Sequence, residues 1–238
     1  MIRWLFCCPR RHTLVTPLCI PSCMMTTYPN HAETSTTDWH LHLLVHVHHH
    51  CLPSNTIDLI SQSLFATTLL AASNGSAIES SATFGWTLQD KSAPIVTCYG
   101  PIHGAHPTLF RAEANGLLSL LTFLSRLLSH NFWITPPPSK SLPVYLDNQS
   151  LLTIVTSLPS KLYCSPSETT ASEYDLVLQL ADILSSIPLH ISFFHIKSHQ
   201  DKYKSTSQLS IPAQANFSAD HLATLAQSQC ISHARTPI

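Results

Sequence analysis

Leu69-Leu-Ala-Ala-Ser-Asn-Gly-Ser76 decides how the chain is read. An apolar run reaches the polar pair Ser73-Asn74 and then Gly75-Ser76, and a second run, Ala82-Thr-Phe-Gly-Trp-Thr-Leu88, follows. β-prone runs joined through Gly and Ser predict an antiparallel pair, here over about residues 67–73 and 82–88. A polar side chain near the end of an otherwise buried strand costs free energy unless it has a task. The first strand is therefore expected at the centre of a sheet, with Asn74 at its end, where chemistry would take place.

The 238 residues fit one domain of ordinary size plus a tail, and a 44% apolar content is enough for a core. Charged residues make up only 11%, against roughly 25% in an average globular protein, so each buried-looking carboxylate stands out. The formal net charge is −1, which excludes a global basic field for nucleic acid; such a partner would need a local patch. No apolar run approaches the roughly 20 residues of a spanning helix, so no membrane partner is expected. The apolar start of the chain is too short for a secretory leader, and the scattered Cys98, Cys164 and Cys230 suggest no disulfide framework. A reduced, intracellular setting is the default, cytoplasm and nucleus not being distinguished.

Residues 1–60 are rich in Cys, His, Pro and Thr, without a sustained period of 2 or 3.6, and read as an irregular, disordered segment. Cys7, Cys8, Cys19 and Cys23, and the tract His40, His42, His46 and His48-His49-His50, match no closed zinc pattern. A domain is expected over residues 65–228, followed by a tail at 229–238. Asp58 to Ser63 reads as a helical turn or an extended lead-in, and a third strand is expected at Ala93 to Tyr99. Thr108 is a suitable N-cap for a helix from Leu109 to about Leu128, whose Glu113, Leu117, Leu120, Leu121, Leu124 and Leu128 share one stripe. Leu142-Pro-Val-Tyr-Leu146 reads as a buried strand ending at Asp147, which is expected to cap the helix from Asn148 to about Ser157. A helix from Ser172 to Ser185 should place Tyr174, Val177, Leu178, Ala181 and Leu184 near one face. A strand at His190 to Ile196, a polar loop over 202–213 and a last helix from Ala215 to Gln227 complete the order. Three antiparallel strands followed by strand–helix alternation predict an α/β fold, a mixed five-stranded sheet with helices on both faces.

The polar residues at strand ends and on inner helix faces are Asn74, Glu113, Asp147, His199 and Asp220. A mixed sheet brings such strand ends together, and ligands favour those points. Clustered carboxylates repel one another, and their usual justification is a hard cation that takes oxygen ligands, Mg2+ most often. Taken singly, Glu113 reads as a helix pair, His199 as a surface loop residue and Asp220 as a solvated face; joint placement favours a shared site.

The order Ser73-Asn-Gly-Ser76, Phe110-Arg-Ala-Glu-Ala114, Tyr145-Leu-Asp-Asn148, His195-Ile-Lys-Ser-His-Gln-Asp201 and Ala215-Asn-Phe-Ser-Ala-Asp-His-Leu-Ala223 resembles the type 1 ribonuclease H domain. It is most similar to the version at the C-terminal end of retroelement reverse transcriptases, and the resemblance covers about residues 65–228. It implies a ribonuclease H-like fold and endonucleolytic cleavage of the RNA strand of an RNA/DNA hybrid with two Mg2+ ions, Mn2+ being an alternative. By the same resemblance Asn74, Glu113, Asp147 and Asp220 match the metal-ligand positions, His199 the mobile catalytic histidine, and Asn216 the polar residue that opens the last helix. Hybrid contacts would come from Ser76, Asn115, Asn148 and Gln149, with Lys197, and beyond it Lys202 and Lys204, taking phosphate. A separately encoded reverse transcriptase is the partner such a setting implies, and a monomer the expected state.

One residue departs from the pattern at the metal-bridging position, where the family has Asp and this chain has Asn74. Asn is nearly isosteric but neutral, and its NH2 would point at a cation. The expectation is impaired turnover. The alternatives are a catalytically inactive nucleic-acid-binding remnant and, from the irregular first 60 residues, a decayed reading frame.

Overall fold

The computed structural model describes residues 56–66, 68–78, 81–91, 93–102, 107–130, 140–158, 173–197 and 205–234. These hold helix α1 (Thr56–Phe65), strands β1 (Leu70–Ile78), β2 (Ser81–Gln89) and β3 (Pro94–Pro101), and α2 (Leu109–His130). They continue through β4 (Ser141–Leu146), α3 (Gln149–Ser157), α4 (Tyr174–Ser186), β5 (His190–His195), a short 3-10 turn at Thr206–Gln208, and α5 (Ile211–Ala234). All belong to the compact unit Ser35–Ile238. The Cys and His residues of the first 51 positions, the His103-to-Pro107 loop apart from Pro107, the Pro136-Pro-Pro138 connector and the 161–167 loop lie outside the described residues.

The sheet is the one the element order predicts. Its five strands lie in the order β3-β2-β1-β4-β5. β1 pairs antiparallel with β2 from Leu70↔Gln89 to Ile78↔Ser81, and β2 pairs antiparallel with β3. β4 joins the other edge of β1 in parallel from Ala71↔Val144 to Ser73↔Leu146, and β5 lies parallel to β4. The central strand is therefore β1.

Strand alternation sends odd residues of β1 to one face and even residues to the other. Ala71 joins the main core with Trp86, Leu88, Leu142, Val144 and Leu146, beneath α2, α3 and α4. The stripe predicted on α2 is buried there in full, Glu113 included. Each fully buried Leu contributes on the order of 1.5–3 kcal/mol, so α2, with Leu117, Leu120, Leu121, Leu124 and Leu127, anchors this face. Trp86 fills the centre, its ring 5.3 Å from that of Phe123 and its Nε1 donating to Ser119 Oγ at 3.0 Å. Thr108 caps α2 as expected, its Oγ1 accepting from the Arg111 N–H at 3.1 Å.

Among the described residues, α5 is the helix that packs on the opposite face. Leu70 and Ala72 of β1 meet Ala215 and Ala219 of the helix. The small side chains of α5, and Gly85 on β2, let the helix lie almost on the strands. A Cβ on Gly85 would strike Ala219 O and stand 2.6 Å from Ala223 N and 2.7 Å from Leu222 Cβ. The junction is completed by Thr83, whose Oγ1 hydrogen-bonds Ala223 O at 2.7 Å and Gln227 Oε1 at 3.1 Å, while Gln227 Nε2 donates to Ser81 Oγ.

Four expectations are corrected. β1 does not end near Ser73; it continues through Asn74-Gly75-Ser76 to Ile78, because the partners Gly85, Phe84 and Thr83 extend the ladder past the glycine. Asp58 to Ser63 lies within a full helix whose Ile60 and Leu64 enter the main core. The buried side of α4 is Leu176 and Leu180, with Ile183 and Leu184 partly buried; of the expected face Tyr174, Val177, Leu178, Ala181 and Leu184, only Leu184 packs against the main core, and Leu178 is exposed. α4 is apolar on several sides, so spacing alone did not single out the packed one. Lastly, α5 starts at Ile211 within the expected loop, with Pro212 in the first turn, where a missing N–H breaks no helical bond.

The close seating of α5 predicts that Gly85→Ala lowers stability by about 1–3 kcal/mol through overpacking. Urea unfolding measures it; an unchanged midpoint would show that the helix can move away without cost.

Candidate functional site

β1 and β4 stop pairing at Ser73↔Leu146. One step further, Asn74 and Asp147 face each other. Asn74 stands on the α5 face of β1, opposite Gly85, and the same absent side chain that admits α5 brings Asp220 down to it. On the other face, Gly75 admits the first turn of α2: a Cβ there would lie 2.7 Å from both Ala112 Cβ and Glu113 N. Gly116, one turn on, sits where a Cβ would stand 2.6 Å from Ser73 Oγ. Three glycines thus set how near the carboxylates come to the central strand, a supporting role the motif reading missed. The signal was in the sequence: five glycines in all, with Gly75 and Gly85 in β1 and β2.

The structure brings Asn74, Asp147 and Asp220 into direct contact. Asn74 is 5% exposed, and its Nδ2 donates to Asp147 Oδ2 at 3.1 Å and to Asp220 Oδ1 at 3.4 Å. Its Oδ1 accepts from the Gly75 N–H at 2.7 Å. Glu113, also 5% exposed, stands within electrostatic reach of Asp147 and receives a hydrogen bond from the Asn148 side chain. Burial pushes the Glu113 carboxyl up to about 8; the Asp147 charge adds to the rise and the Asn148 hydrogen bond opposes it.

Asn148, not Asp147, caps α3. Its Oδ1 accepts from Ser150 N at 2.9 Å and Leu151 N at 3.0 Å. The correction has a physical reason: the chain is still leaving β4 at Asp147, whose carboxylate is turned to Asn74. Asn148 therefore links the helix start to Glu113 as well. Asn216 does not open the last helix; it lies in the second turn of α5, buried, with no hydrogen-bond partner on its Oδ1.

The candidate binding residues are spread around this centre. Ser76 is half-buried on the same face of β1 as Asn74, Gln149 is exposed on the first turn of α3, and Lys197 is exposed just past β5. Asn115 is half-buried, and its Nδ2 donates to Arg111 O within its own helix at 2.7 Å. Arg111 itself makes a two-pronged pair with Asp175 at 2.8 and 3.1 Å, which ties α2 to α4. His199, Lys202 and Lys204 lie outside the described residues.

As folded, this donor set does not suit a divalent cation. A cation needs lone pairs converging on it, whereas Asn74 sends N–H groups toward the two aspartates. Among the described residues, no three His, Cys, Asp or Glu side chains are arranged to hold a metal ion. Among them, too, no helix is long and apolar enough to cross a membrane.

No family model matches the chain, and no curated protein matches it. Similar solved structures include LC11-RNase H1, isolated from compost, in complex with RNA/DNA hybrid: 16% identity, 68% of this chain and 99% of that one, TM-score 0.46. The N-terminal ribonuclease H domain of a Mycobacterium tuberculosis protein gives 16% identity over 70% of this chain and 97% of that one, TM-score 0.46. A foamy viral protease-reverse transcriptase in complex with RNA/DNA hybrid gives 18% identity over 86% of this chain and 24% of that one, TM-score 0.49. With TM-scores below 0.5, they add nothing to what the sheet itself shows.

The raised Glu113 carboxyl has a consequence for stability. Between pH 4.5 and about 8 the folded protein holds a proton that the unfolded chain has released, so stability falls as pH rises through that window and levels off above it. Glu113→Gln removes this dependence. Relative to wild type, the variant should gain on the order of a few kcal/mol on moving from pH 5 to pH 8 in metal-free buffer. Paired denaturant melts at the two pH values decide it; parallel pH profiles would mean that Glu113 is ionised throughout.

Proposed function

We propose that the chain carries a ribonuclease H-type domain that engages RNA/DNA hybrid and in which hydrolysis of the RNA strand is suppressed by Asn74. The observation that carries the reading is the meeting of Asp147, from the end of β4, and Asp220, from α5, at Asn74 on the central strand, with Glu113 of α2 beside Asp147. Four of the five ordered sequence motifs fall on these same elements, and the other begins at the last residue of β5, which supports descent from the C-terminal domain of a retroelement reverse transcriptase.

The chemistry follows from the residues. Hydrolysis of a phosphodiester between carboxylates relies on a pair of divalent cations to activate water and stabilise the leaving oxygen. In this chain the bridging position holds a neutral amide whose N–H groups are turned to the aspartates, so that chemistry lacks its central ligand. What remains is recognition. Ser76, Asn148, Gln149 and Lys197 offer hydroxyl, amide and ammonium groups suited to phosphates and 2′-hydroxyls, which would read A-form shape rather than base sequence. The formal net charge of −1 predicts few phosphate contacts and a shallow salt dependence.

The test is a labelled RNA/DNA hybrid titrated with the full chain, followed by incubation in MgCl2. Expected are saturable binding in preference to a DNA duplex, negligible cleavage by wild type, and a rise of at least about a hundredfold in Asn74→Asp, the scale of one lost electrostatic contact at a reacting centre. Wild type cleaving as fast as the variant contradicts the suppression. A protein without preference for the hybrid contradicts the whole proposal.

A further inference from the structure

The hydrogen-bonding groups of the Asn74 side chain are all used. The amide has two N–H donors and one carbonyl acceptor. The donors serve Asp147 Oδ2 at 3.1 Å and Asp220 Oδ1 at 3.4 Å, and the carbonyl takes the Gly75 N–H at 2.7 Å. Rotating the amide by half a turn would set its oxygen against two carboxylate oxygens and its NH2 against another N–H, so one orientation is strongly preferred. The contacts join residues 73 and 146 positions apart in the chain. They link the central strand to the end of β4 and to α5, the helix that among the described residues packs on this face of the sheet.

From this arrangement we infer that Asn74 is an internal substitute for a cation: its NH2 bridges Asp147 and Asp220 and makes the junction of β1, β4 and α5 a metal-independent brace. Two carboxylates brought to one point repel, and something with positive character has to stand between them. In the folded chain that element is covalently part of β1. An aspartate at the same position would replace the bridging NH2 by a third carboxylate, a set that a divalent cation stabilises. The group at position 74 therefore sets how much this junction gains from metal.

The inference concerns stability without nucleic acid, so it stands or falls separately from hybrid binding. The experiment is thermal unfolding of the full chain in EDTA, in MgCl2 and in MnCl2, for wild type, Asn74→Asp and Asp220→Asn. Wild type should melt at one temperature in all three buffers. Asn74→Asp should melt lower in EDTA and recover by several degrees in either metal, since a ligand that binds only the folded state raises its melting temperature. Asp220→Asn, which keeps a carbonyl acceptor for Asn74, should melt close to wild type and also ignore metal. A wild-type melting temperature that rises by several degrees with Mg2+ or Mn2+ overturns the inference, as does an Asn74→Asp protein that folds but ignores both ions. If Asn74→Asp does not fold in any buffer, the other two proteins decide: metal-indifferent melts support the brace, and a metal-dependent melt of either sinks it.

Discussion

An amide on the middle strand gives hydrogen bonds to carboxylates that reach it from two other elements, and the architecture around it follows from that meeting. Asn74 has to be buried for α5 to cover β1 and β2, yet a buried polar group is costly unless its hydrogen-bonding capacity is used. Here the amide nitrogen, the amide oxygen and both aspartates are engaged. The arrangement sets a hydrogen-bond donor between two carboxylates at the seam between a sheet and its helix. Removing a single member of such a seam takes hydrogen bonds from the others as well, so its contributions are not independent.

The seam forms only because the backbones can come close. Gly85 opposite Asn74 and Gly75 next to it are positions where a methyl group would meet α5 on one face and α2 on the other. Gly116 plays the same part from the helix side, over Ser73. The distances within the polar cluster are thus set by the absence of three side chains nearby. Farther out, Trp86, Phe123 and the leucines of α2 hold the sheet against one layer of helices. Thr83 and Gln227 hold the other layer through hydrogen bonds instead of bulk.

Much of this was legible in the chain itself. The alternation of strands and helices gave the sheet, and the stripe on α2 put Glu113 inward, because both rest on periodicity that tertiary packing seldom overrides over long spans. The polar residues at element ends pointed to the place where they meet. What the residues did not announce was where β1 stops: Asn74-Gly75-Ser76 looks like the start of a turn, and only the opposite strand shows that it is ladder. Pro212 hid the first turn of α5 in the same way, since a proline at a helix start and one in a loop look alike without the neighbours. The cap of α3 fell to Asn148 rather than Asp147 because both side chains can cap a helix and the Asp147 carboxylate is turned to Asn74.

The side-chain amide of Asn74 is where the account is most exposed, and heteronuclear NMR of the full chain reads it directly. With its NH2 between two carboxylates and its oxygen taking the Gly75 N–H, the amide should give two well-separated proton signals that exchange slowly with solvent and do not move when MgCl2 is added. An amide pair that exchanges rapidly, or one that shifts to saturation as Mg2+ is titrated in, would contradict the bridge on which the rest is built.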